Sequence, residues 1–142
     1  MRITDVLRRK GDTVVTISPD KPVSALLDTL AEHKVGALVV TGADGAVEGI
    51  VSERDVVRHL QARGADVLNQ PVESIMTTPV HTAEPDTTLE QLMVLMTERR
   101  FRHVPIVVDG RLAGIISIGD VVKHRIDELQ IERDQLTAYI SS

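Results

Sequence analysis

The chain repeats itself, which limits it to folds built from two copies of one unit. Pro19-Asp20 recurs as Pro85-Asp86, Leu26 as Leu92 and Glu32 as Glu98, all at one offset. A single deletion then shortens the offset by one. Beyond it Asp44-Gly45 recurs as Asp109-Gly110, Gly49-Ile50 as Gly114-Ile115, Ser52 as Ser117, Asp55 as Asp120, Val56-Val57 as Val121-Val122 and His59 as His124. In a chain of 142 residues each copy is close to the ~60 residues at which an isolated core is marginal. The copies are therefore expected to pack on one another.

Each copy reads the same way. Thr13 to Ile17 is β-rich and ends at Ser18-Pro19. A helix follows from about Pro22, with Val23, Leu26, Leu27 and Leu30 at the spacing of one apolar face. Ala37 to Val40 and Val47 to Val51 form a hairpin turned at Asp44-Gly45. A second helix starts near Ser52. In the other copy the helix carries Leu89, Leu92, Met93 and Met96, and the hairpin strands are Val104–Val108 and Leu112–Ile116, turned at Asp109-Gly110. Gln61 to Thr78 connects the copies. A further helix is expected from about Val121 to Tyr139, with Val122, Ile126, Leu129, Leu136 and Ile140 along one stripe.

Composition removes several function classes. The chain has no cysteine, which excludes disulfides and thiolate metal sites. His33, His59, His81, His103 and His124 lack metal-ligand spacing, so no metal is expected, and His59 and His124 read as residues of a solvated face. A net charge of −5 argues against broad attraction to nucleic acid or an acidic membrane. No apolar run approaches the ~18 residues of a membrane span and no signal-peptide pattern is present, so a cytoplasmic location is expected. Phe101 and Tyr139 are the only aromatic residues of these types, so a bound base is expected to be gripped by aliphatic side chains and backbone. The glycine-rich stretch from Gly42 to Gly49 lacks the Lys-Ser/Thr of a phosphate loop and reads as a hairpin turn. No nucleophile is paired with a base, and Glu53 and Asp55 lie too close on one helix end to flank a substrate. The chain is not expected to be an enzyme.

Each hairpin ends in Gly-Ile-apolar-Ser-x-x-Asp-Val-Val: Gly49 to Val57 and Gly114 to Val122. The plain reading is a capping box, in which serine caps the helix and the acid reaches back to it. The functional reading uses the same geometry. A helix N-terminus presents unpaired N–H groups that suit a phosphate, and a carboxylate one turn in can accept the two hydroxyls of a ribose.

With the hairpins, the duplicated motif, Arg102-His103-Val104-Pro105 and the lead-ins Ile3–Leu7 and Val72–Met76, the chain resembles a tandem CBS domain pair, or Bateman module, from Thr4 to about Arg125. The resemblance implies an α/β fold of two β-α-β-β-α repeats packed with pseudo-two-fold symmetry. It places CBS domain 1 at residues 1–66, CBS domain 2 at 67–126 and a helical extension at 127–142. It implies a stand-alone regulatory module that binds an adenine nucleotide as an energy or redox sensor. AMP comes first among the ligands, with ATP, ADP, NAD(H) or S-adenosylmethionine sharing the adenosine end. The alternative is a ligand-free dimerisation or scaffold module, against which the intact serines and acids in both copies count.

Carried residue by residue, the resemblance gives ribose to Asp55 and Asp120. It gives phosphate to Ser52, Ser117, Arg102, His103 and Arg54. Adenine is assigned to Thr16, Ile17, Val35, Gly36 and Ala37 in one copy, and to Thr82, Ala83, Val104 and Pro105 in the other. A homodimer is expected, with the stripe of the last helix covered by its own core or a second chain. The copies are unequal: Gly36 and Ala37 stand where the second has Arg102 and His103, and Gly119 stands where the first has Arg54. These differences predict one dominant site, at Ser117 and Asp120, with Arg54 reaching toward it.

Overall fold

In a computed structural model, residues 1–11 and 14–141 are described; Thr13, the start of the expected first strand, lies outside them. Helix α1 (Ile3–Lys10) leads into β1 (Thr16–Ile17), α2 (Val23–His33), β2 (Ala37–Thr41), β3 (Val47–Ser52) and α3 (Glu53–Arg63). Two short 3-10 turns, Ala65–Asn69 and Val72–Ser74, precede α4 (Leu89–Arg99), β4 (His103–Val108), β5 (Arg111–Ser117) and α5 (Ile118–Ser141). The fold is α/β, in two repeats. β2 lies between a parallel β1 and an antiparallel β3. β4 and β5 form the matching hairpin. The counterpart of β1 is reduced to one parallel bridge, Ala83 to Ile106, held by Ala83 N–H to the Pro105 carbonyl at 3.0 Å.

The helices form where expected because their apolar faces have cores to cover. Val23, Leu26 and Leu30 of α2 pack with Leu38, Val40 and Val51 of the first hairpin. Leu89, Leu92 and Met96 of α4 pack with Val104, Ile106 and Ile116 of the second. The lead-in segments, however, are exchanged. Ile3 and Val6 of α1 are fully buried in the second core, and Val67, Val72 and Ile75 are buried in the first. The sequence units and the packing units therefore differ: 1–66 and 67–126 each depend on the other's lead-in.

The exchange explains the motif glycines. A Cβ on Gly49 would lie 2.5 Å from Met76 Sδ, and one on Gly114 would lie 2.5 Å from Leu7 Cδ2. Met76 and Leu7 hold equivalent lead-in positions, so each glycine admits the lead-in of the opposite unit.

α5 is one continuous helix, so the expected extension is not a separate element. Its far half stands clear of the body: Leu136 is 63% exposed and Ile140 79%. The chain's own core does not cover the stripe. His124 departs from the solvated face assigned to it. It is buried, and its Nδ1 lies 3.3 Å from Nη1 of Arg9 in α1.

Candidate functional site

Both motifs fold as capping boxes. The Ser52 N–H donates to Asp55 Oδ2 at 2.8 Å, and the Asp55 N–H donates to Ser52 Oγ at 3.3 Å. The Ser117 N–H donates to Asp120 Oδ2 at 2.9 Å, and the Asp120 N–H to Ser117 Oγ at 3.1 Å. The plain reading of the motif is therefore satisfied twice. What separates the two is their surroundings.

Ser52 and Asp55 open onto a cavity of about 260 Å³. Its cationic and imidazole wall is Arg54, Arg58, Arg99, Arg100, Arg102, His81 and His103, and Ala37, Ile50, Thr77, Pro79, Val80 and Phe101 complete the lining. The cavity thus joins the first motif to the end of α4 and the second copy's lead-in. Thr77 reaches it because its N–H donates to the Ile50 carbonyl at 2.8 Å, which extends the β3 edge. Among the described residues none of the five guanidinium groups has an ion-pair or hydrogen-bonding partner. Asp55 Oδ1 is likewise without a protein donor, since its bonds fall on Oδ2.

His103 pairs with Ser117 across β4 and β5, and the Arg102 carbonyl accepts the Ile118 N–H at 2.8 Å, so both stand beside the second motif as expected; the cavity, however, opens on the first. Arg102 and His103 line the cavity of Ser52 and Asp55, whereas Ser117 and Asp120 do not. Arg54 also stays with its own motif. Asp120 is instead ion-paired with Lys10 at 2.7 Å. Burial pushes the Asp120 carboxyl up, but hydrogen bonds from Lys10 and the Ser117 backbone, with the charge of Lys10, hold it below the ordinary carboxylate value. His103 is held below its ordinary value by burial first, then by Lys10 and Arg102, against Asp120 and Glu53.

The residues assigned to adenine are dispersed. Ala37 lines the cavity. Ile17, Ala83 and Val104 are buried in the cores, and Pro105 is buried. Thr16 lines a separate open hollow with Arg111 and Leu112. Val35 and Thr82 are exposed, and Gly36 faces His103, whose Cε1 lies 4.0 Å from where a Cβ would stand. Phe101 and His81 line the cavity with ring centroids 4.9 Å apart. Sequence reasoning passed over Arg99, Arg100, Phe101, His81, Pro79 and Val80. The run Arg99-Arg100-Phe101-Arg102-His103 in an acidic chain was the signal that could have found most of them.

Among the described residues no cluster of His, Cys, Asp or Glu could hold a metal ion. Among the same residues no helix is long and apolar enough to cross a membrane.

Two α/β repeats with exchanged lead-ins and a shared cleft define a tandem repeat module. The chain belongs to the CBS domain family, whose model matches residues 3–62 and again 72–127. The CBS-domain containing protein ATU1752 from Agrobacterium tumefaciens is 51% identical, with a TM-score of 0.85 over 88% of this chain and 99% of that one. The mitochondrial CBS domain-containing protein CBSX3 of Arabidopsis thaliana is 36% identical over 97% of this chain and 71% of its own length. The CBS domain pair of protein MJ0100, solved in complex with 5′-methylthioadenosine and S-adenosyl-L-methionine, shares the fold at 22% identity, with a TM-score of 0.81 over 90% of this chain and 98% of that one.

Proposed function

We propose that the chain is a non-catalytic regulatory module that binds an adenine nucleotide in the cleft beside Ser52 and Asp55. One observation carries this: a carboxylate with a free oxygen stands at a helix N-terminus among five unpaired guanidinium groups. Cations crowded this way repel one another unless an anion joins them, and a ligand-free scaffold has no need of them. Asp55 would hold ribose hydroxyls, the arginines phosphate, and Phe101 with Ile50 and Val80 the base. The adenosine ligands of MJ0100 support the class.

The charge count favours a ligand with more than one phosphate, such as ADP, ATP or NAD(H), over AMP, the ligand placed first on sequence grounds. It disfavours S-adenosylmethionine, whose sulfonium would meet guanidinium. Calorimetric titration with adenosine, AMP, ADP, ATP, NAD and S-adenosylmethionine tests this. Affinity should rise with each added phosphate, about 10-fold or more from AMP to ATP, where each 1.4 kcal/mol is tenfold. It should fall as salt rises. Adenosine or S-adenosylmethionine binding as tightly as ATP would count against the reading.

His103 gives the binding a pH signature. A bound phosphate raises the imidazole pKa above its depressed free value. Binding then takes up a proton, and the contribution of His103 grows as pH falls from the bound pKa toward the free one. Calorimetry in buffers of different ionisation enthalpy should show proton uptake on ATP binding near pH 6.5, the ordinary histidine value, and His103→Gln should reduce it. Equal uptake in the variant would remove His103 from the site.

A further inference from the structure

We propose that Lys10 decides which of the two motifs accepts a ligand, by occupying the Asp120 carboxylate as a tethered cation. The inference rests on the reading of the Ser52–Asp55 cleft as the ligand site, and it concerns the other motif. The two motifs share the serine, the acid and the cap geometry, so these do not explain why one faces a cavity and the other does not.

The difference lies in how the strand edge beside each motif is satisfied. In the first copy the Ile50 carbonyl accepts the backbone N–H of Thr77 at 2.8 Å. Among the described residues no cationic side chain reaches Asp55. At the equivalent place in the second copy the Ile115 carbonyl accepts from Lys10 Nζ at 2.6 Å. The same ammonium donates to Asp120 Oδ2 at 2.7 Å. A side chain thus takes the place that a backbone amide holds in the other copy, and its charge falls on the acid that a ribose would need. Arg9, one residue earlier, lies 3.7 Å from Asp127. A ligand entering beside Ser117 has to displace Lys10 before it can use Asp120, which tilts occupancy toward the first motif.

The test uses ATP as the probe and Asp55→Ala as the background. Asp55→Ala alone should bind at least tenfold more weakly than wild type. Lys10→Met added to it should recover binding by about tenfold, and Asp120→Ala added in turn should remove the gain. Lys10→Arg, which keeps a cation over Asp120, should recover nothing. Thermal unfolding of each variant checks the fold, and Lys10→Met in the otherwise wild-type chain should raise the number of ATP sites. No recovery in Lys10→Met/Asp55→Ala, or weaker binding caused by Lys10→Met, overturns the proposal. Wild-type affinity in Asp55→Ala instead overturns the reading of the first cleft; Lys10 is then judged by the site number of the single variant, where no increase rejects it.

Discussion

Replacing Asp55 by alanine is expected to weaken adenine nucleotide binding by roughly 10- to 100-fold or more, since each hydrogen bond to a charged group contributes about 1.5–3 kcal/mol. The carboxylate has one oxygen committed to the Ser52 cap and one uncommitted oxygen at the cleft. Asp120→Ala is the matched control. It removes the same capping-box acid from a motif that does not line the cleft. Binding should survive it. Titration of both variants decides between the two acids, and a larger loss from Asp120→Ala would reverse the assignment.

Ile3→Ala is expected to destabilise the fold by about 2–5 kcal/mol, the range for truncating a fully buried isoleucine. Ile3 is at the start of the chain, yet it is fully buried against Leu89, Leu92 and Ile106 of the second copy. Its N–H donates to the Thr87 carbonyl at 3.0 Å, and the Leu89 N–H returns a bond to Met1. Ile140→Ala, at a site 79% exposed, should change stability by no more than about 0.5 kcal/mol. Urea unfolding of both variants measures this. A loss below 1 kcal/mol for Ile3→Ala would mean that α1 is only loosely docked and that the exchange of lead-ins adds little.

The repeat and its elements were legible in the sequence because each depends on local rules. The 3-and-4 spacing of Val23, Leu26 and Leu30 marks α2, Asp44-Gly45 and Asp109-Gly110 mark the turns, and Ser52 with Asp55 marks a helix start. The exchange of lead-ins was not legible. It depends on how Gly49 and Gly114 admit Met76 and Leu7, a contact between residues that no local pattern links. The cleft beside the first motif is hidden by the same gap. Arg102 and His103 adjoin the motif of their own copy, where His103 pairs with Ser117, but they also line the cleft of Ser52 and Asp55, which lie far from them in the chain. Lys10 sits at the end of α1, and nothing in its neighbourhood in the chain points to Asp120.

The central claim is that one nucleotide lies in the cleft shared by the two copies, ribose on Asp55 and phosphates among the arginines. A crystal structure of the chain grown with ATP tests it most directly. The expected result is a ligand whose ribose hydroxyls approach Asp55 Oδ1, whose phosphates contact Arg102 and Arg54, and whose base lies against Phe101. A ligand bound instead on Asp120, with Lys10 displaced and the Asp55 cleft empty, would contradict the account.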